Sequence, residues 1–393
     1  MIDTKSEIDL TRGIEAIFPS IESFRQALQS GRRLTIYHGA DPTGPHLHLG
    51  HATNLLLLRR LQDLGHRVIF LIGDFTARIG DPSGKASARQ PLSEKEIRQN
   101  FSTFRQQVAK VVRFHGWNRA RVVWNSRWLR RLRAVDLLEL MGKMTVGQMI
   151  ERDMFQERLK RGAPIWLHEF LYPLLQGYDS VALDVDAEIG GNDQTFNMLM
   201  GRDLLKTYKN REKFVISTTL LVDPRTGKKL MNKSEGGLIN LDDEPSEMYG
   251  KVMALPDEVI FSVAELCTLI PEATIVEWRT LHPRDAKMKV AKAVVALYHN
   301  ERLAIKAEEE FVATFQKGAV PSETPEVKAV SGELLGAVLL RADRVASNGE
   351  FRRLISAGAI GEINGLTISD PHFIIQQPLV LKIGKHRFLR IVL

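Results

Sequence analysis

One cysteine, Cys267, in 393 residues leaves no pair for an intrachain disulfide and no set for a Cys-rich zinc site, and it fits a reducing compartment. The residues around Leu266 are helix-like, so Cys267 reads as a small buried side chain rather than a nucleophile. Aromatic residues make up only 7% of the chain, which argues against an aromatic platform for stacking RNA bases. Any RNA contact would then rest on shape and phosphate. Long apolar runs are missing too: the stretches at 55–58 and 68–72 are far too short to cross a bilayer. The opening Met1-Ile2-Asp3-Thr4-Lys5-Ser6-Glu7 has early acids and no apolar core. Neither a secretory signal nor an Arg-rich transit peptide is expected, and the cytosol is the expected location. No internal repeat or low-complexity segment is present.

What is there suits a soluble protein of two or three domains, with 44% hydrophobic and 26% charged residues. The balance of 54 Lys+Arg against 47 Asp+Glu, a net charge of +7, permits a polyanionic partner without requiring one. Strand-like segments at 34–39, 68–73, 121–124, 185–189 and 214–218 alternate with helix-like stretches. That alternation predicts an α/β fold with a parallel, doubly wound sheet, whose ligands gather at the carboxyl ends of strands. From about Pro245 the pattern turns mainly helical. The segment from Lys317 to Glu326 reads as a polar linker, with a small terminal domain after it.

The sharpest chemical signal is His48-Leu49-Gly50-His51, which follows a strand and the turn-rich loop Gly39-Ala40-Asp41-Pro42-Thr43-Gly44-Pro45. Two imidazoles at the start of a helix, beside unpaired N–H groups and the positive dipole end, suit a polyphosphate that gains negative charge during reaction. ATP-dependent activation is the expected chemistry. Other segments are ambiguous when read alone. Ile79-Gly80-Asp81-Pro82-Ser83-Gly84-Lys85 also fits a solvent-exposed turn. Tyr172, Gln176 and Asp179 share one helix face, which an incidental half-exposed face would explain as well. Gly190-Gly191-Asn192-Asp193-Gln194 lets a ligand approach the backbone or simply makes a tight turn. Lys228-Lys229-Leu230-Met231-Asn232-Lys233-Ser234 also reads as a solvated basic turn.

Taken together and in order, these segments resemble class I tyrosyl-tRNA synthetases. The resemblance runs from Tyr37 to His51 (the HIGH signature), through 79–85, 169–179 and 190–194, to 228–234 (the KMSKS signature). It implies a Rossmann-like catalytic domain at 1–240, a helical anticodon-recognition domain with its linker at 241–325, and a small α+β RNA-binding domain of the alpha-L type at 326–393. His48 and His51, assisted by Thr43, are implied to stabilise the reacting phosphate. Lys85, Arg89 and Lys233 would bring cations to the leaving pyrophosphate. Asp81, Tyr172 and Gln176 are implied to surround the tyrosine ammonium, Tyr37 and Asp179 the phenol, and Gln194 the carboxylate. The ATP-binding set would be Gly39, Asp41, His48, Gly50, His51, Gly191, Asp193, Met231, Lys233 and Ser234. Arg352, Arg353, Lys385 and Arg387, with Lys382 and Arg390 nearby, would touch RNA phosphates.

The same resemblance implies tyrosine, ATP and tRNA(Tyr) as substrates. It also implies Mg2+ arriving with ATP, no dedicated metal site, and a homodimer built around 144–154. The family's pattern is broken in two places. Asn192 replaces a small residue; in the KMSKS loop Asn232 takes the place usually held by serine, and Lys229 stands four residues before Lys233 rather than three, which leaves its role open. A tryptophan-specific synthetase shares the architecture, and Tyr37 with Asp179 tilts the expectation to tyrosine. A non-catalytic RNA-binding relative is the alternative from another class.

Overall fold

The computed structural model describes residues 12–83, 92–231, 237–316, 324–362, 367–384 and 387–393. The strands Thr35–Ala40 (β2) and Arg67–Ile72 (β3) carry apolar side chains at most positions, as strands covered on both faces must. They pair in parallel, β2 also pairs in parallel with Ala187–Gly191 (β5), β3 with Arg121–Trp124 (β4), and β5 with Phe214–Thr218 (β6). All five expected strands are thus present in one doubly wound parallel sheet. A sixth, Ile14–Phe18 (β1), joins it antiparallel to β6 and gives the order β1-β6-β5-β2-β3-β4. Periodicity did not announce β1, because it is a short edge strand with little burial contrast between its two faces.

Strand β5 starts two residues later than expected. Asp184, at φ 52°, ends the preceding helix in the left-handed region, and the Asp186 carboxylate is spent accepting the Thr35 N–H at 2.8 Å. The helix Leu49–Asp63 ends where Gly65 adopts φ +92°, a conformation glycine enters without penalty. Its residues 52–58 are buried all round, so it lies under the sheet as a central support. The chain runs outward from β2 to β3 and β4, then returns to the other side of β2 to lay down β5 and β6. The connections therefore part between β2 and β5, the crevice where such sheets bind ligands.

The chain divides into two compact units, 1–243 with 255–298, and 244–254 with 299–393. The first also contains the helices Ile260–Cys267, Glu272–Trp278 and Pro283–Tyr298. In the second, Pro245–Met253 packs on Glu301–Gln316, with the Tyr249 and Phe311 rings 5.3 Å apart. It also holds a sheet ordered β7 (Glu326–Lys328), β10 (Arg387–Val392), β9 (Leu379–Ile383) and β8 (Ile360–Glu362). Leu335, Val338, Phe351, Leu381 and Ile391 form its core. Most of the polar stretch 317–326 lies outside the described residues.

Candidate active site

A single cavity opens at the carboxyl ends of β2 and β5 and is lined by Tyr37, Gly39, Asp41, Thr43, His48, Gly50, His51, Asp81, Tyr172, Gln176, Asp179, Gly191, Asp193 and Gln194. All fourteen of these sequence-proposed residues therefore meet in one place. Met231 is buried beside it at φ 59°, close to Gly50. Lys85, Arg89, Lys233, Ser234 and Lys385 lie outside the described residues.

At one end of the cavity the Leu49–Asp63 helix begins. His48 is its N-cap, with extended backbone; its Nδ1 accepts the Gly50 N–H at 3.2 Å, while His51 Nδ1 accepts the His48 N–H at 3.1 Å. The rings sit 4.1 Å apart. With both Nδ1 atoms occupied as acceptors, a neutral ring carries its proton on Nε2 and offers it as a donor. Burial, and then the neighbouring His48, push His51 well below the usual histidine range, which keeps it neutral. A Cβ on Gly50 would crowd the His48 ring at 3.0 Å, so a larger residue there would push that imidazole aside. Lys229, whose role the sequence left open, lies in a β-bridge with Val222 and places Nζ 2.9 Å from the Asp193 carboxylate.

The opposite end holds Asp179, 2% exposed. Its two oxygens accept the Trp128 indole N–H at 2.7 Å and the Asn125 amide at 3.2 Å. Burial raises its pKa well above the ordinary carboxylate range, and the two hydrogen bonds oppose that rise. The Tyr37 hydroxyl is 2.9 Å from Ser180 Oγ. Burial, followed by the nearby Glu188 and Asp179 carboxylates, raises its pKa well above 10, so the phenol stays protonated. Tyr37 and Asp179 thus flank the same end through different partners.

Between the two ends lie further polar groups. Tyr172 donates to Asp41 Oδ2 at 2.9 Å, and Thr76 to Asp41 Oδ1 at 2.7 Å. A Cβ on Gly73 would collide with that carboxylate, so any larger residue there would displace Asp41 and Thr76 from their hydrogen bond. Asp81 caps the Ser83 N–H and accepts Gln194 Nε2 at 2.7 Å. Gln176 gives Nε2 to Glu188 at 3.2 Å and leaves its buried Oε1 without a partner.

Six residues with contacts here escaped the sequence reading: Thr76, Asn125, Trp128, Ser180, Glu188 and Lys213. Asn125 was within reach of it, since it directly follows the carboxyl end of β4. In the second unit, Arg352, Arg353, Lys382 and Arg390 are exposed, whereas Arg387 is half-buried and pairs with Glu350 at 2.9 Å.

A model of the class I tRNA synthetases (W and Y) matches residues 29–316, and the chain belongs to that family. Within it the chain is similar to tyrosine–tRNA ligases. That of Carboxydothermus hydrogenoformans is 42% identical, with 98% of this chain and 96% of that one covered. That of Moorella thermoacetica is 41% identical, with 97% and 94% covered. Among solved structures, a C-terminally truncated mitochondrial tyrosyl-tRNA synthetase of Aspergillus nidulans shares the fold at TM-score 0.66 and 23% identity, covering 79% of this chain and 94% of that one. A tyrosyl-tRNA synthetase of Archaeoglobus fulgidus, complexed with L-tyrosine, matches at TM-score 0.60 and 22% identity, covering 78% and 100%.

Proposed function

We propose that this chain is a tyrosine–tRNA ligase. It joins L-tyrosine to ATP as tyrosyl-adenylate, releasing pyrophosphate, and then passes the tyrosyl group to the 3′ end of tRNA(Tyr). The observation that carries this reading is the cavity with a buried carboxylate and phenol at one end and two imidazoles on a helix N-terminus at the other. A phenol hydroxyl donates to Asp179 beside Tyr37. Phenylalanine would lack that hydrogen bond and set an apolar ring edge against the buried carboxylate.

The substrate carboxylate attacks the α-phosphorus, the bond to the β-phosphate breaks and pyrophosphate departs. No protein nucleophile is needed; the protein positions the reactants and stabilises charge. His48 and His51 donate from Nε2 to the oxygens that gain charge, with Thr43 beside them. Lys85, Arg89 and Lys233 neutralise the pyrophosphate, and Met231 and Ser234 belong with the residues that bind ATP. Asp81, Tyr172 and Gln176 receive the ammonium, Gln194 lies by the carboxylate, and Gly39, Asp41, Gly50, Gly191 and Asp193 hold the nucleotide. ATP would bring Mg2+ on its own phosphates.

Residues 1–240 would carry the chemistry, 241–325 read the anticodon, and 326–393 hold tRNA phosphates through Arg352, Arg353, Lys385 and Arg387. The exposed apolar side chains Leu138, Val146, Trp166 and Leu167 support a homodimer across the region that includes 144–154. Sedimentation at twice the chain mass would bear it out. No described helix is long and apolar enough to cross a membrane. ATP–pyrophosphate exchange tests the central reading: tyrosine should drive it, and a signal driven by tryptophan instead would overturn it.

A further inference from the structure

Beneath the amino-acid end of the cavity lies a charge pair that the chemistry above does not use. Lys213 and Glu188 are 1% and 2% exposed and form an ion pair between Lys213 Nζ and Glu188 Oε2. Lys213 also donates to Ser180 Oγ at 2.7 Å. The fold makes room for it: a Cβ on Gly201 would lie 2.8 Å from both Lys213 Nζ and Ser180 Oγ. Where the helices Leu171–Leu183 and Thr195–Lys209 cross, a Cβ on Gly177 would sit 3.1 Å from the Gly201 backbone nitrogen. Two buried charges are costly to keep, and removing either one alone strands the other.

We propose that the Glu188–Lys213 pair is a positioning device that fixes the polarity of the hydrogen bonds at both ends of the bound tyrosine. At the ammonium end, Glu188 Oε1 can only accept, so the Gln176 amide must turn Nε2 toward it. The Gln176 carbonyl, buried and without a partner, is thereby left facing the cavity as an acceptor for a cation. At the phenol end, Ser180 Oγ accepts from Lys213 and gives its single proton to Glu188 at 3.3 Å. The remaining bond, from Tyr37 at 2.9 Å, must then take its proton from Tyr37. The Tyr37 oxygen is left to accept, and one carboxylate sets both directions.

This inference rests on the tyrosine reading, so exchange by the parent enzyme is measured first: no tyrosine-dependent signal would sink both, whereas a parent signal with a failed variant test below sinks this inference alone. The decisive variant is the double substitution Glu188→Gln with Lys213→Met, which removes both charges together and keeps side-chain volume. The positioning role predicts a folded protein whose KM for tyrosine rises about tenfold, with KM for ATP and kcat within about twofold of the parent. A merely structural pair predicts that joint neutralisation leaves all three unchanged, and that result overturns the proposal. Ser180→Ala leaves the charges paired and carries the same test if the double variant does not fold. Its preference for tyrosine over phenylalanine should drop several-fold at constant kcat, and unchanged preference refutes the proposal.

Discussion

Trp128→Phe removes one hydrogen bond while keeping most of an aromatic side chain that packs beside Tyr37, Val123 and Val185. The bond it deletes, 2.7 Å from the indole N–H to Asp179, is one of two that hold a carboxylate only 2% exposed. A hydrogen bond to a buried charged group contributes about 1.5–3 kcal/mol. Since about 1.4 kcal/mol is a factor of ten, KM for tyrosine should rise roughly ten- to hundredfold in pyrophosphate exchange at saturating ATP. KM for ATP should stay put, because the imidazoles and Lys229 lie at the other end of the cavity. The lost bond is one of those holding the Asp179 pKa down, so that pKa climbs further and the acidic limb of the tyrosine KM profile moves to higher pH. Equal changes in both KM values, or an unmoved acidic limb, would refute the idea that Trp128 acts through the Asp179 carboxylate.

His48→Ala should slow adenylate formation at least a hundredfold, about 2.7 kcal/mol of lost stabilisation, while tyrosine affinity measured by equilibrium dialysis changes little; an equal loss in both contradicts a role at the phosphate. Asp179→Asn should abolish tyrosine activation yet melt no lower than the parent at pH 7. The folded-state pKa of Asp179 is raised, so its stabilising contribution is present below the unfolded value near 3.9 and is lost as pH rises through the folded one. The gap in Tm between variant and parent should therefore close as pH falls toward 4, and a parent that is the more stable at pH 7 would count against this. Gly201→Ala forces a methyl to within 2.8 Å of Lys213 and Ser180, and overpacking of this kind should cost about 1–3 kcal/mol in a urea melt. Burial raises the Cys267 thiol to about 12, so iodoacetamide at pH 8 should label the protein only after denaturant is added.

Much of this was legible along the chain because it is local. A strand, a Gly/Pro loop and a helix start are consecutive in sequence, and they brought His48, His51, Asp41 and Thr43 to one rim. The shared face of Tyr172, Gln176 and Asp179 follows from helical spacing alone. What stayed hidden depends on pairings distant in sequence. Lys213 precedes β6 and looks like a surface lysine until β6 aligns with β5, which carries Glu188, and the two glycine-bearing helices close over it. Ser180 has no motif of its own, and its importance comes only from touching Tyr37, 143 residues away. Trp128 reads as a core aromatic, because nothing in its neighbours tells that its N–H meets a carboxylate.

The divergence of the connections between the paired strands β2 and β5 separates two jobs within one chamber. In the proposed function, selection of the side chain would fall to residues on the Leu171–Leu183 helix and the middle of β2, whereas the imidazoles sit beyond the end of β2 on another helix. Changing which amino acid is admitted therefore need not disturb the machinery that handles phosphate, and a lineage could retune its diet while leaving its engine alone.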